Sequence, residues 1–473
     1  MASIQIATLT QSFTRVDVDE VDVLRDQLSG VLVEPGDEGY DEARTIWNAM
    51  VDRRPALIAR CTSTADVQYA VRFARRHRLL LAVRGGGHNI AGNAVCDDGM
   101  MIDLSPMKSV RIDTKKKVAE VQPGCTLADV DRATQAYGLA IPVGINSTTG
   151  IAGLTLGGGF GWLSRAYGMT VDNLIGAEVV TADSAVVQAN DRQHPELFWA
   201  LRGGGGNYGV VTRFDFRLHE VGPDVLCGLI VYPLAQATAA LKRYREIAAG
   251  LSDQTAIWAV LRQAPPLPFL PTEVHGKEII AFAVCHIGDP DQGFAAIEPV
   301  RKLGTPYGEH LGVQPFVAWQ QAFDPLLTPG ARNYWKSHNF SELSDETIDV
   351  LVRYARELPS PQCEIFVGQL GGQASRVSPS ATAYAHRDAN YVVNVHGRWE
   401  TAAEDDRVIR WSRDFYRAAA PFATGGVYVN FMTEEESDRI RAAYGPNWDR
   451  LVQTKTKYDP NNLFCMNQNI TPR

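Results

Sequence analysis

Three glycine clusters carry the first chemical signal. They are Arg84-Gly85-Gly86-Gly87-His88, the stretch Gly150 to Gly161 with its block Gly157-Gly158-Gly159-Phe160-Gly161, and Gly203 to Gly206, in a chain with 41 glycines among 473 residues. Such loops let backbone N–H groups close on a phosphate, because no Cβ stands in the way. Three of them in one half of a chain point to a ligand with a pyrophosphate, a dinucleotide. Tight turns and close packing are the competing explanation for each cluster taken singly. None is a GxGxxG opening a long helix, and no acidic residue ~20 residues on ends a second parallel strand, which counts against a nicotinamide Rossmann domain. His88 directly follows three glycines, where its ring can reach a ligand; capping or packing is the alternative. His275, Cys285 and His286 offer no HxH, HExxH or carboxylate spacing, so no metal site is expected.

Short strands and helices must hold these loops. Asp66 to Arg78 places Val67, Ala70, Val71, Phe73 and Ala74 on one side, the pattern of an amphipathic helix, with Ser63 or Thr64 as N-cap. Leu79 to Val83 reads as a buried strand running into the first glycine loop, and Met100 to Leu104 as another. Val110 to Asp113 and Val118 to Val121 predict a hairpin, and Thr126 to Tyr137 a helix closed by Gly138. Residues 1–220 therefore read as α+β. From 221 onward the strand-like runs Leu229 to Tyr232, Ile279 to Val284, Ile365 to Val367 and Tyr391 to Val395, with a helix over Thr347 to Glu357, predict a second domain built on a sheet.

Composition excludes several classes. With 46 Lys plus Arg against 54 Asp plus Glu, the net charge of −8 and the absence of a basic run argue against nucleic acid or an anionic membrane as partner. No run of 18 apolar residues predicts a transmembrane helix, and the amino terminus lacks a secretory pattern. Seven scattered cysteines, none in CxxC spacing, suggest reduced thiols and a cytoplasmic location.

Val83 to Asn89, Gly150 to Gly161, Arg202 to Gly209 and the tail Tyr458-Asp459-Pro460-Asn461-Asn462-Leu463-Phe464 together resemble the berberine bridge enzyme-like flavoproteins, of the vanillyl-alcohol oxidase group. The resemblance runs from about Asp41 to Ile470 and is nearest in pattern to bacterial 6-hydroxynicotine oxidase-type members, which share the HRDA of His386 to Ala389. It implies a two-domain α+β fold. An FAD-binding domain would span 1–220 and be completed by 440–473, with a substrate domain over 221–439. It also implies FAD on the Arg84, Gly85, Gly86, Gly87 loop and the Gly157, Gly158, Gly159, Gly161 block, joined covalently through His88 to the flavin 8α-methyl. Asn89, Asn146, Thr149, Gly150, Gly153, Leu154, Asn173, Val210, Asn467 and Asn469 complete the implied cofactor set. The implied reaction removes hydride from a C–H next to nitrogen or oxygen of a small molecule and passes the electrons to O2; a carbohydrate or alcohol oxidase, a secondary-metabolite tailoring dehydrogenase and a flavin-binding protein without turnover are the alternatives. Oligomeric state is not implied.

Three positions depart from the family pattern. Asn146 stands where many members carry a second flavin-linking cysteine, so a single covalent bond is expected. Thr149, valine-like in shape, stands where a small side chain admits O2. Phe431 ends the motif Tyr428-Val429-Asn430-Phe431 where relatives use a tyrosine base, and the glutamate base of berberine bridge enzyme falls on Val392 or Val393. With both bases missing, a cyclic amine or aromatic substrate is favoured over a simple sugar. If Val392 faces the flavin, strand alternation places Asn394 and His396 beside it, with Gln369 on the neighbouring strand and Tyr428 nearby as the candidate catalytic set. His396 is the one with a pKa suited to general-base work; a satisfied core or rim histidine, and direct hydride loss from a neutral amine without any base, are the alternatives.

Overall fold

The computed structural model describes residues 2–473. Three sheets matter for the site. The first has four strands in the order Val31–Val33, Leu57–Arg60, Met100–Asp103, Leu81–Arg84, the last three mutually parallel. The connection from Leu57–Arg60 to Leu81–Arg84 is the helix Thr64–His77, started where Ser63 and Asp66 form a reciprocal capping box. Its apolar side, Val67, Ala70, Val71 and Ala74, is buried in the core of this unit. The chain leaves Leu81–Arg84 directly into the first glycine loop.

The second sheet is antiparallel and five-stranded, ordered Val186–Ala189, Leu174–Val180, Val210–Arg217, Val118–Val121, Val110–Asp113. The helix Leu127–Gln135 follows the expected hairpin, with Thr126 and Asp129 as its capping box. The third is a seven-stranded antiparallel sheet ordered Gly308–Pro315, Asp224–Pro233, Glu278–His286, Thr255–Gln263, Glu364–Gln369, Tyr391–Trp399, Arg332–Phe340. On one face, Ile365, Val367, Val393 and Val395 pack in a core with the helices Ala237–Gly250, Asp345–Ala355 and Asp405–Ala419. The opposite face is left to cover the glycine loops. No helix among the described residues is long and apolar enough to cross a membrane.

Candidate active site

The glycine loops and the open face of the seven-stranded sheet enclose a cavity of about 330 Å³, within the ~300–1,000 Å³ range of small-molecule sites. Two of its glycine clusters touch backbone to backbone. A Cβ on Gly86 would lie 2.4 Å from the Gly150 Cα, and one on Gly150 would lie 2.4 Å from the Gly86 nitrogen. Close packing therefore explains this pair. Gly153 and Gly206 differ: both line the cavity, and a Cβ on either would meet no protein atom within 4 Å. Their missing side chains leave room for a ligand. Gly85, Gly87, Asn89, Thr149, Leu154, Gly157 and Val210 also border the cavity.

Other cofactor candidates hold the walls from behind. Arg84 does not line the cavity. Its guanidinium is consumed by Asp103, at 3.0 Å from Nε and 2.9 Å from Nη2, and by the carbonyls of Ala43 and Thr45. Gly158, Gly159 and Gly161 lie against Tyr384, Thr170 and the Val143 carbonyl rather than on the cavity. Gly159 has φ +75°, which glycine adopts without strain, and its N–H donates to the Tyr428 hydroxyl at 2.9 Å. Asn173 is buried, donating to the Tyr167 and Met169 carbonyls and meeting His219, beside a separate surface cleft. Asn469 is not on the cavity, whereas Asn467 is, and the Oδ1 of each is buried without a partner. The carboxyl-terminal segment carrying them is pinned by Lys455 and Asp459, both fully buried. The Lys455 ammonium donates to Asp459, Asn207 and Phe464 oxygens, and Asp459 accepts from the Leu463 and Phe464 N–H groups.

His88 borders the cavity, stacked on Trp47 at 4.8 Å and 22°. Burial, reinforced by the positive charge of Arg398, pushes its pKa down to about 3, so the ring is neutral at working pH. Its tautomer follows from its neighbours. The Asn146 Oδ1 accepts from the Thr148 N–H at 3.1 Å and from the Thr148 hydroxyl at 2.8 Å. With its proton so committed, the Thr148 hydroxyl is an acceptor toward His88 Nε2 at 2.9 Å. Nε2 therefore carries the hydrogen, and Nδ1 is the nitrogen with a free lone pair. Sequence reasoning missed Trp47 and Thr148, which no motif marks.

The sheet wall follows strand parity. Across Arg332–Phe340, Tyr391–Trp399 and Glu364–Gln369, Trp335 pairs with His396 and His396 with Glu364, while Ser337 pairs with Asn394 and Asn394 with Phe366. Trp335, His396, Glu364, Asn394 and Phe366 all line the cavity. Asn394 and His396 are thus where alternation put them. Gln369 is not. It shares parity with the core residues Ile365 and Val367, and its amide is spent on the Ile257 N–H and the Ala248 carbonyl. Glu364, which no sequence argument singled out, stands on the cavity where Gln369 was expected. Burial pushes the Glu364 carboxyl up, but the charge of Arg262 outweighs this and holds it below its usual range. Burial pushes His396 down despite Glu364. Tyr428 lines the cavity with a buried hydroxyl raised to about 12, and Phe431 lies edge-on to Trp335 at 5.4 Å.

Comparisons with known proteins give the family and the fold. Residues 55–190 match the FAD binding domain family and residues 427–471 the berberine and berberine-like family. An FAD-linked oxidoreductase of Dictyostelium discoideum is 32% identical over 450 residues, covering 94% of this chain and 96% of that protein. The (R)-6-hydroxynicotine oxidase of Paenarthrobacter nicotinovorans is 30% identical, covering 94% and 97%. The crystal structure of 6-hydroxy-D-nicotine oxidase from Arthrobacter nicotinovorans superposes with a TM-score of 0.85 at 28% identity, covering 94% of this chain and 98% of that one. The fold is accordingly that of vanillyl-alcohol oxidase-type flavoproteins. Open space at Gly153 and Gly206 and the unpartnered Asn467 Oδ1 fit an FAD. This chain belongs to the berberine bridge enzyme-like FAD-linked oxidoreductases.

Proposed function

We propose that this enzyme is an oxidase removing hydride from a C–H bond next to nitrogen or oxygen of a small molecule, with a cyclic amine or aromatic compound favoured, and reducing O2 to H2O2. FAD supplies the two-electron acceptor. In this reading residues 1–220 with 440–473 hold FAD and residues 221–439 roof the substrate. The observation that carries it is His88: buried, neutral, stacked on Trp47 and presenting Nδ1. Such a nitrogen is a competent nucleophile toward the flavin 8α-methyl, and Asn146 offers no second thioether. We therefore assign a single covalent bond, through His88 Nδ1. Thr149 on the cavity leaves room that a leucine would fill, which favours reaction with O2.

Phe431 supports the substrate preference, since a phenyl ring neither gives nor takes a proton. His396 does not stand alone in this site: its Nε2 faces Asn333 and its Nδ1 faces Glu364. A relative is named as a 6-hydroxynicotine oxidase and another as a tetrahydroberberine oxidase. Seven free cysteines, six of them buried, suit a reducing cytoplasm. The test is a panel of amines, phenolic compounds, alcohols and sugars read by peroxide release, alongside acid precipitation of the protein. Amine-dependent peroxide and a yellow precipitate are expected. Turnover of sugars alone overturns the substrate reading, and a colourless precipitate overturns the covalent one.

A further inference from the structure

Two hydrogen-bond acceptors face each other on the cavity wall. The Asn333 amide is oriented by its surroundings: its Nδ2 donates to the Ala331 carbonyl at 2.8 Å, and its Oδ1 accepts from Arg398 Nη1 at 3.3 Å. His396 Nε2 lies 3.2 Å from that same Oδ1 and must therefore be the donor. In the neutral ring Nδ1 then carries only a lone pair, and it lies 3.5 Å from Glu364 Oε1. The other carboxylate oxygen, Oε2, is held by Arg262 at 2.6 Å. Glu364 is the one formally charged side chain lining the cavity among the described residues. A lone pair opposite a carboxylate oxygen is an arrangement that a donor ligand completes.

We propose that Glu364 Oε1 and His396 Nδ1 together bind the nitrogen of a primary or secondary amine and take up its proton. The proposal rests on the amine-oxidising reading above and names the atoms that would serve it. An ammonium carries at least two N–H donors, one for each acceptor, whereas an alcohol has one and leaves a buried acceptor unmet. The groups facing the pair are Arg262 from the neighbouring strand on one side, Asn333 and Trp335 from the neighbouring strand on the other, and Arg398 two residues along the strand of His396 itself. The two guanidinium charges lower the proton affinity of the bound nitrogen and of His396 alike, and the Glu364 carboxylate raises both. One N–H bond breaks, its proton passing to His396 Nδ1 opposite the Glu364 carboxylate, and its electron pair stays on nitrogen. That lone pair would then be free to form C=N with the adjacent carbon, for which a bound FAD would supply the two-electron acceptor and an iminium would be the product.

The experiment uses the holoenzyme without oxygen and three probes of similar shape: benzylamine, benzyl alcohol and N,N,N-trimethylbenzylammonium. Dissociation constants come from the early perturbation of flavin absorbance on rapid mixing. Benzylamine is expected to bind about tenfold or more tighter than either of the others, as for a hydrogen bond to a charged group. Glu364→Gln, checked to retain its flavin, is expected to abolish that preference. Equal binding of the alcohol, or of the quaternary ion (charge without donors), overturns the proposal, and the wild-type comparison decides this without any variant. Preference for benzylamine with no amine ever reducing the flavin leaves the recognition site standing and removes the amine-oxidising reading. Flavin reduction by amines with no binding preference does the reverse.

Discussion

Gly86→Ala tests whether contact between the two glycine loops builds the FAD site. The added Cβ would lie 2.4 Å from the Gly150 Cα, against about 3.4 Å for ordinary contact, so the loops must part by 3.4 − 2.4 = 1.0 Å. Both partners are backbone, and no rotamer change relieves the clash. Overpacking of this kind costs about 1–3 kcal/mol. Unfolding entropy of ~2.1 cal/mol/K per residue over 473 residues is about 1 kcal/mol/K, so the melting temperature should fall by only about 1–3 °C. A functional site, however, tolerates shifts of only ~0.5 Å. Flavin content should therefore drop severalfold while the fold survives, read from the 450 to 280 nm absorbance ratio beside a thermal melt. Gly153→Ala is the counterpart. Its Cβ meets no protein atom within 4 Å, so the melting temperature of the flavin-free protein should not move and any loss of flavin reports contact with the cofactor itself. A Gly86→Ala protein with full flavin and an unchanged melt would refute the reasoning.

Thr148→Val removes the acceptor that fixes the His88 tautomer, and the covalently retained flavin fraction after acid precipitation should fall without loss of folded protein. Thr149→Leu should slow reoxidation of the reduced enzyme by O2 in stopped flow; an unchanged rate removes Thr149 from the oxidase argument. Burial holds His338 down at about 4, so the unfolded chain binds its proton first as pH falls. The stability this histidine contributes is present above ~6.5 and is lost between there and about 4. At pH 5 that is about 2 kcal/mol relative to pH 8, and His338→Gln should flatten the corresponding slope in melts taken across this range.

The loops were legible because glycine is informative where backbones meet, and the elements feeding them are short, apolar and well capped. Ser63 with Asp66 and Thr126 with Asp129 start their helices where the sequence places an N-cap. The strand wall was half legible. Alternation from Val392 correctly brings Asn394 and His396 to the cavity, since Val393 and Val395 enter the opposite core. The same rule applied within Glu364–Gln369 would have excluded Gln369, which shares the parity of Ile365 and Val367. It would have selected Glu364 and Phe366 instead. What no pattern could supply is the direction of a proton. Asn146 reads from sequence as a missing cysteine. In the fold its Oδ1 holds the Thr148 hydroxyl, which accepts from Nε2 of His88 and leaves Nδ1 bare. Asn333, absent from every motif, does the same for His396. In both cases an amide whose orientation is fixed by a backbone group decides which imidazole nitrogen faces the chemistry. Two histidines that look alike in sequence thus expose the same nitrogen to different surroundings, His88 stacked on Trp47 and His396 opposite Glu364.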